Sequence, residues 1–192
     1  MAISNTAMSQ SAPPFAPEPK DGIDNIKPHM LGDAEIDLPP VSIALDSNEC
    51  AMGASQLAIE AAQAASPTLS RYKIDAASVM ASAIAARFSI DVNRIAIGPG
   101  SDELLARLAR AYLTPGSELI RSANGYLKVP NYAFANDATP VSAPDSEFTA
   151  SVDSILKCVT KKTKMVYLAN PDNPSGTYLP NREINRLSLI HI

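Results

Sequence analysis

Lys164-Met165-Val166-Tyr167-Leu168-Ala169-Asn170-Pro171-Asp172-Asn173-Pro174-Ser175-Gly176-Thr177 is the stretch on which the fold turns. Its first six residues are a run of strand length carrying Val, Tyr, Leu and Ala. The next eight contain two prolines, each preceded by Asn, and a glycine near the end. Proline fixes its own φ and pushes the preceding residue out of helical space, so this is an ordered loop rather than a slack one. A buried strand running straight into it would hold Asn173 with its amide toward the strand ends, where an amide can donate to a ligand oxygen. A plain turn is the simpler reading, but the length and composition are unusual for one.

Working upstream, short apolar runs alternate with helical periodicities. Strands are expected at 118–122 and 139–142, and helices at 129–136 and 151–158. A run at 94–97 reads as a strand stopped by Gly98-Pro99-Gly100. Ser101 then reads as the N-cap of a helix with Asp102 and Glu103 in its first turn, where carboxylates suit the helix dipole. Leu104, Leu105, Leu108, Ala109 and Tyr112 are expected to form its buried stripe, and Pro115-Gly116 stops it. Earlier, residues 42–46 suit a short strand. Residues 55–65 suit a helix closed by Pro67. Residues 74–88 suit another, with Val79, Ala83, Ile84 and Phe88 on one face. A last helix starts over 182–186. This alternation predicts an α/β fold, an open and mostly parallel sheet with helices on both faces. Ligands bind outside the carboxyl ends of such strands. The loops 98–103, 122–128 and 170–177 are expected there.

The composition bounds the function. The chain has 192 residues, 46 % apolar and 19 % charged, and a net charge of −4. That excludes a global electrostatic footprint for nucleic acid or anionic membrane. No apolar run approaches the roughly 18–20 residues of a membrane span. Two cysteines, Cys50 and Cys158, have no CxxC partner, and two histidines cannot build a His-rich metal centre. A reducing, cytoplasmic setting is expected, with no metal. Residues 1–22 are expected to be a disordered tail, with Pro13, Pro14, Pro17 and Pro19 among small polar residues. Residues 23–72 read as an extended arm and first helix, 73–186 as the body of the domain.

Taken alone, Gly98–Glu103 reads first as a capped helix after a turn, and second as an anion site at a helix N-terminus, where N–H groups point at a phosphate. Tyr126 follows a strand and could lie flat on a planar ring, or be a half-buried surface tyrosine. Arg71-Tyr72 could reach an anion or merely cap a helix.

In this order the pieces resemble the fold-type I aminotransferases that use pyridoxal 5′-phosphate, nearest to the histidinol-phosphate branch. The resemblance runs from the arm at 26–32 through Asp46-Ser47-Asn48-Glu49, Arg71-Tyr72, the Gly98 loop and Tyr126 to the loop at 170–177. It implies roles residue by residue. The backbone N–H groups of Ser101 and Asp102 would hold the cofactor phosphate. Tyr126 would stack on its pyridine ring, and Asn173 would hydrogen-bond its phenolic oxygen. Tyr72 would reach the phosphate of a neighbouring subunit, which implies a homodimer. Small amino acid and keto acid substrates are implied too. Cys50-Ala51 replaces the Asn-Pro usual after Asn-Glu, and Val129 stands where a second tyrosine is often found.

The same resemblance requires a lysine downstream of the Asn-Pro loop, bonded to the cofactor, and the last lysine here is Lys164. The expectation is an incomplete domain cut before that lysine, with no catalytic residue to name. Residues 187–192 match what a transposon end used in library preparation encodes, and are expected to be a non-native tail. Other readings stay open: an inactive fragment, a relative acting on aromatic amino acids or decarboxylating phosphothreonine, or a nucleotide-binding α/β domain.

Overall fold

The computed structural model describes residues 19–27 and 48–188. The expected strand at 42–46, most of the tail at 1–22, part of the arm at 26–32 and residues 189–192 lie outside the described residues. The chain divides into two compact units, Lys27–Tyr112, and Met1–Ile26 with Leu113–Ile192.

The first unit is helical. α1 spans Gln56–Ala65, α2 Ala76–Phe88 and α3 Ser101–Tyr112. Pro67 ends α1 through a 3-10 turn at Ser66–Thr68. α2 closes on Ser89, which takes the left-handed conformation (φ 54°) and donates its N–H to the Ala85 carbonyl. Three expectations need correction. Residues 94–97 do not form a strand. Ile95 is extended (φ −115°, ψ 120°), but a strand is defined by a ladder partner and the run has none among the described residues. The stripe of α2 is not a buried one, since Val79 and Phe88 are exposed and Ala81 is the buried residue. Leu108 and Tyr112 of α3 are likewise exposed.

The second unit carries the sheet. β1 is Glu118–Ser122, α4 Val129–Phe134, β2 Thr139–Ala143, α5 Val152–Cys158, β3 Thr163–Tyr167 and α6 Asn181–Ser188. All pairings are parallel and the order is β2-β1-β3, with β1 central. Three strands match an incomplete α/β sheet of the expected class. Ile120 sits in register with Val141 and Val166. A bulge sets Leu119 opposite Met165 although Glu118 faces Thr163.

The chain steps one way across the sheet from β1 to β2 and the other way from β2 to β3. Right-handed crossovers then put α4 and α5 on opposite faces. The packing agrees. Val152 and Ile155 of α5 and Leu187 of α6 join Ile120 and Ala143 in one apolar cluster. Val129 and Ala133 of α4 are equally inaccessible and lie outside it. Full burial of Ile120 and Ile155 contributes about 1.5–3 kcal/mol each. Ser151 caps α5, its Oγ accepting from the Ser154 N–H at 3.2 Å. At the far end of α4, Gly22 is buried in a 3-10 turn at Asp21–Asn25 and donates its N–H to Asp137 Oδ1 at 3.2 Å. No helix among the described residues is long and apolar enough to cross a membrane.

Candidate functional site

β1 is buried from Leu119 to Ser122, although its last two residues are polar. Buried polar groups need partners, and theirs build the carboxyl end of the sheet. Arg121 is 6 % exposed. It donates Nε to the Ser122 carbonyl at 2.8 Å and Nη2 to the Ala123 carbonyl. Burial lowers its pKa, against the opposing pull of Asp145 and Asp172. The guanidinium stays protonated, since its ordinary value lies so far above neutrality.

Asp145 follows β2 and binds the loop after β1. Its Oδ1 accepts from Ser122 Oγ at 2.7 Å. Its Oδ2 accepts from the Asn124 N–H at 2.9 Å and from Asn124 Nδ2 at 3.0 Å. Strand register explains the meeting. Ser122 pairs with Ala143, so Asp145 lies two residues past the strand end, beside Ser122. Next comes a tight turn in which Glu147 and Phe148 have φ of 46° and 62°, closed by two Ser146–Thr149 backbone bonds.

The loop after β3 is fixed by its own side chains. Asn170 accepts the Leu179 N–H at 2.8 Å and donates Nδ2 to the Leu179 carbonyl at 3.0 Å. Its amide thus replaces one rung of a backbone ladder. Asp172, 8 % exposed, accepts from Ser175 Oγ at 2.8 Å. Its N–H donates to the Thr177 carbonyl, and its carbonyl accepts from Gly176, which sits at φ 70°. Thr177 Oγ1 reaches the Phe148 carbonyl at 3.2 Å. The Asn170-Pro171 and Asn173-Pro174 peptides are cis. Asn124, Phe148, Pro174 and Thr177 help line an open groove of about 450 Å³ among these loops.

Two of the three expected loops therefore meet. Gly125 packs against the third strand's loop, where a Cβ would stand 3.3 Å from Ser122 Cβ and 3.5 Å from Asp172 Oδ1. Tyr126 is half-buried, and its carbonyl accepts from the Val129 N–H at 3.2 Å. Tyr167 feels both Tyr126 and Asp172. Burial first, then these two groups, raise its pKa and keep the phenol neutral. Asn173 is half-buried. None of the hydrogen bonds that hold this loop among the described residues uses its amide. A side-chain donor and acceptor are thus present in the loop whose Asp172 lies near Tyr167 and Gly125, which suits a flat, polar ligand such as the cofactor the resemblance implies.

Ser101, Asp102 and Tyr72 belong to the other unit. Ser101 is the first residue of α3 rather than its cap. The cap position falls to Gly100 at φ 90°, whose carbonyl accepts from the Leu104 N–H at 3.4 Å. Ser101 and Asp102 are exposed at the positive end of a 12-residue helix, which suits an anion. A Cβ on Gly98 would stand 2.9 Å from Leu104 Cδ2, so that approach favours glycine. Tyr72 is fully exposed.

Sequence reasoning missed Asp145, Arg121 and Tyr167. The available signal was the polar Arg121-Ser122 pair ending a strand otherwise built for burial.

Comparison with known proteins bears on this arrangement. The sequence profile of the family "Aminotransferase class I and II" matches residues 40–191. The chain is 47 % identical over 172 residues to the histidinol-phosphate aminotransferase of Paramagnetospirillum magneticum, covering 90 % of this chain and 47 % of that protein. It is 40 % identical over 171 residues to that of Rhodospirillum rubrum, covering 89 % and 46 %. Among solved structures it is similar to histidinol-phosphate aminotransferase from Sinorhizobium meliloti in complex with pyridoxal-5′-phosphate. The TM-score is 0.70 at 25 % identity, over 74 % of this chain and 39 % of that one. A Thermus thermophilus aspartate aminotransferase mutant shares the fold, with a TM-score of 0.67 at 21 % identity, over 76 % and 42 %. The chain spans about half the length of the curated relatives it matches.

Proposed function

The chain belongs to the aminotransferase class I and II family, and from that premise we propose that the protein carrying it is a pyridoxal-phosphate-dependent aminotransferase of histidine biosynthesis. It would exchange an amino group between glutamate and imidazole-acetol phosphate. The observation that carries the reading is the braced loop after β3, which presents Asn173 beside the Tyr126 loop with no bond of its own spent on holding the loop. The names of the relatives favour the histidinol-phosphate substrate over the aromatic and decarboxylating alternatives.

Five residues hold the cofactor in this reading. Tyr126 offers a flat aromatic face to the ring. Asn173 donates its amide to the ring oxygen, which keeps that oxygen anionic. The Ser101 and Asp102 N–H groups, at the start of α3, bind the phosphate dianion with the helix dipole behind them. Tyr72 donates its hydroxyl to the phosphate held by a second copy, so the protein works as a homodimer. When bound, pyridoxal phosphate supplies the aldehyde that takes up and gives back the amino group. The free thiols of Cys50 and Cys158 fit a cytoplasmic, reducing setting.

The test is a transamination assay on the whole protein. Imidazole-acetol phosphate should be converted with glutamate as donor, faster than aromatic keto acids. Replacing Asn173 by Ala should shift the absorption of the bound cofactor, because the ring oxygen loses its donor. No cofactor uptake, or turnover confined to aromatic keto acids, would overturn the assignment.

A further inference from the structure

Tyr126 can serve as a platform only if its loop is rigid, and the loop is held from the segment that follows β2. Asp145 accepts three hydrogen bonds, from Ser122 Oγ, the Asn124 N–H and Asn124 Nδ2, all between 2.7 and 3.0 Å. These donors lie four and two residues before Tyr126. Between them and the tyrosine lies Gly125, where a Cβ would stand 3.3 Å from Ser122 Cβ and 3.5 Å from Asp172 Oδ1, so its backbone runs close to both. Beyond the tyrosine, the Tyr126 carbonyl is tied to the Val129 N–H at the start of α4. Below, Arg121 holds the Ser122 and Ala123 carbonyls. Remove Asp145 and the Asn124 N–H and the Ser122 hydroxyl both lose their acceptor. The span from 122 to 126 would keep the Arg121 contacts and the Ala123 N–H bond to the Ala143 carbonyl, but Asn124, just before Gly125 and Tyr126, would lose both bonds that Asp145 gives it.

We propose that Asp145 is a positioning residue, which sets the Tyr126 ring for the cofactor by clamping Ser122 and Asn124 across the β1–β2 pair. It touches no ligand itself. The inference rests on the proposed role of Tyr126, and its test separates the two. In the whole protein, the dissociation constant for pyridoxal 5′-phosphate is measured by absorption titration for the wild type, D145A, Y126A and the double variant. Hydrogen bonds to a charged group of this kind correspond to about tenfold or more in affinity when lost. D145A is expected to weaken binding about tenfold, and the double variant to bind no worse than Y126A. That lack of additivity is the signature of one residue acting through the other, which a general loss of stability would not give. If D145A leaves binding unchanged while Y126A weakens it, or if the two effects add, the positioning role is refuted and the role of Tyr126 stands. If Y126A leaves binding unchanged, the platform itself is refuted, and the positioning role with it. Should D145A not fold, D145N takes its place in the cycle. It keeps one acceptor oxygen and presents an amide NH2 to one of the present donors, and is expected to behave as D145A with a smaller effect.

Discussion

Replacing Asn170 by Ala should loosen the loop after β3 far more than a loop substitution usually does. The Asn170 amide makes two hydrogen bonds to the backbone of Leu179, at 2.8 and 3.0 Å, and Leu179 is 8 % exposed. Each bond contributes about 1 kcal/mol net, and a buried backbone group left without a partner costs about 1–3 kcal/mol. The two bonds alone give about 2 kcal/mol of local stability, and one stranded backbone group raises the loss to about 3–5 kcal/mol, a large part of what holds a native domain together. The readout is hydrogen exchange at two amides the substitution does not touch, Asp172 N–H to the Thr177 carbonyl and Gly176 N–H to the Asp172 carbonyl. Protection at both should fall by about 30-fold or more, since about 1.4 kcal/mol is a factor of ten. N170D should lose most of the same protection, because it keeps the acceptor for the Leu179 N–H but sets an oxygen against the Leu179 carbonyl. Protection within about threefold of the wild type in N170A would refute the argument that this one amide closes the loop.

Two further outcomes are expected. A Cβ at Gly22 would stand 2.0 Å from the Phe134 carbonyl oxygen, which is backbone and cannot swing away. G22A should release the segment around 21–25 at a cost of about 1–3 kcal/mol, and trypsin should cut after Lys20 faster; an unchanged cutting rate would show that the segment is not held there. Arg186, hydrogen-bonded to Asp153 at 2.6 Å, lowers the Asp153 pKa. A depressed carboxylate contributes stability above its unfolded pKa and loses it as pH falls through the folded value, so the α5–α6 link should weaken only below about pH 4. Carboxyl NMR titration should place the Asp153 midpoint below the ordinary value and return it there in R186A; the same midpoint in both proteins would exclude the pair as the cause.

The sheet was legible where local signals agree. Residues 118–122 read as a strand because an apolar pair is bounded by Pro115-Gly116 on one side and a loop on the other, and β1 has those limits. The helix after Gly98-Pro99-Gly100 was equally legible, apart from a one-residue shift that moved the cap to Gly100. The run at 94–97 misled because its apolar character is local while a ladder partner is not. Asp145 gave no signal at all. An Asp after Pro144 reads as a turn residue, and only the pairing of Ser122 with Ala143 brings it to Asn124.

By itself the sequence determined the class of fold, the order of strands and helices from α3 onward, and the identity of the loop at 170–177. Periodicity, proline geometry and glycine punctuation are properties of neighbouring residues, and they survive without any long-range contact. Tertiary structure decided which strand is central, which loops meet and which polar groups hold them. Those depend on parallel pairing, in which partners 21 to 46 residues apart are set by register. Arg121 makes the point, being a charged residue in a buried strand. Its place is intelligible only once Ser122, Ala123, Asp145 and Asp172 have been folded around it.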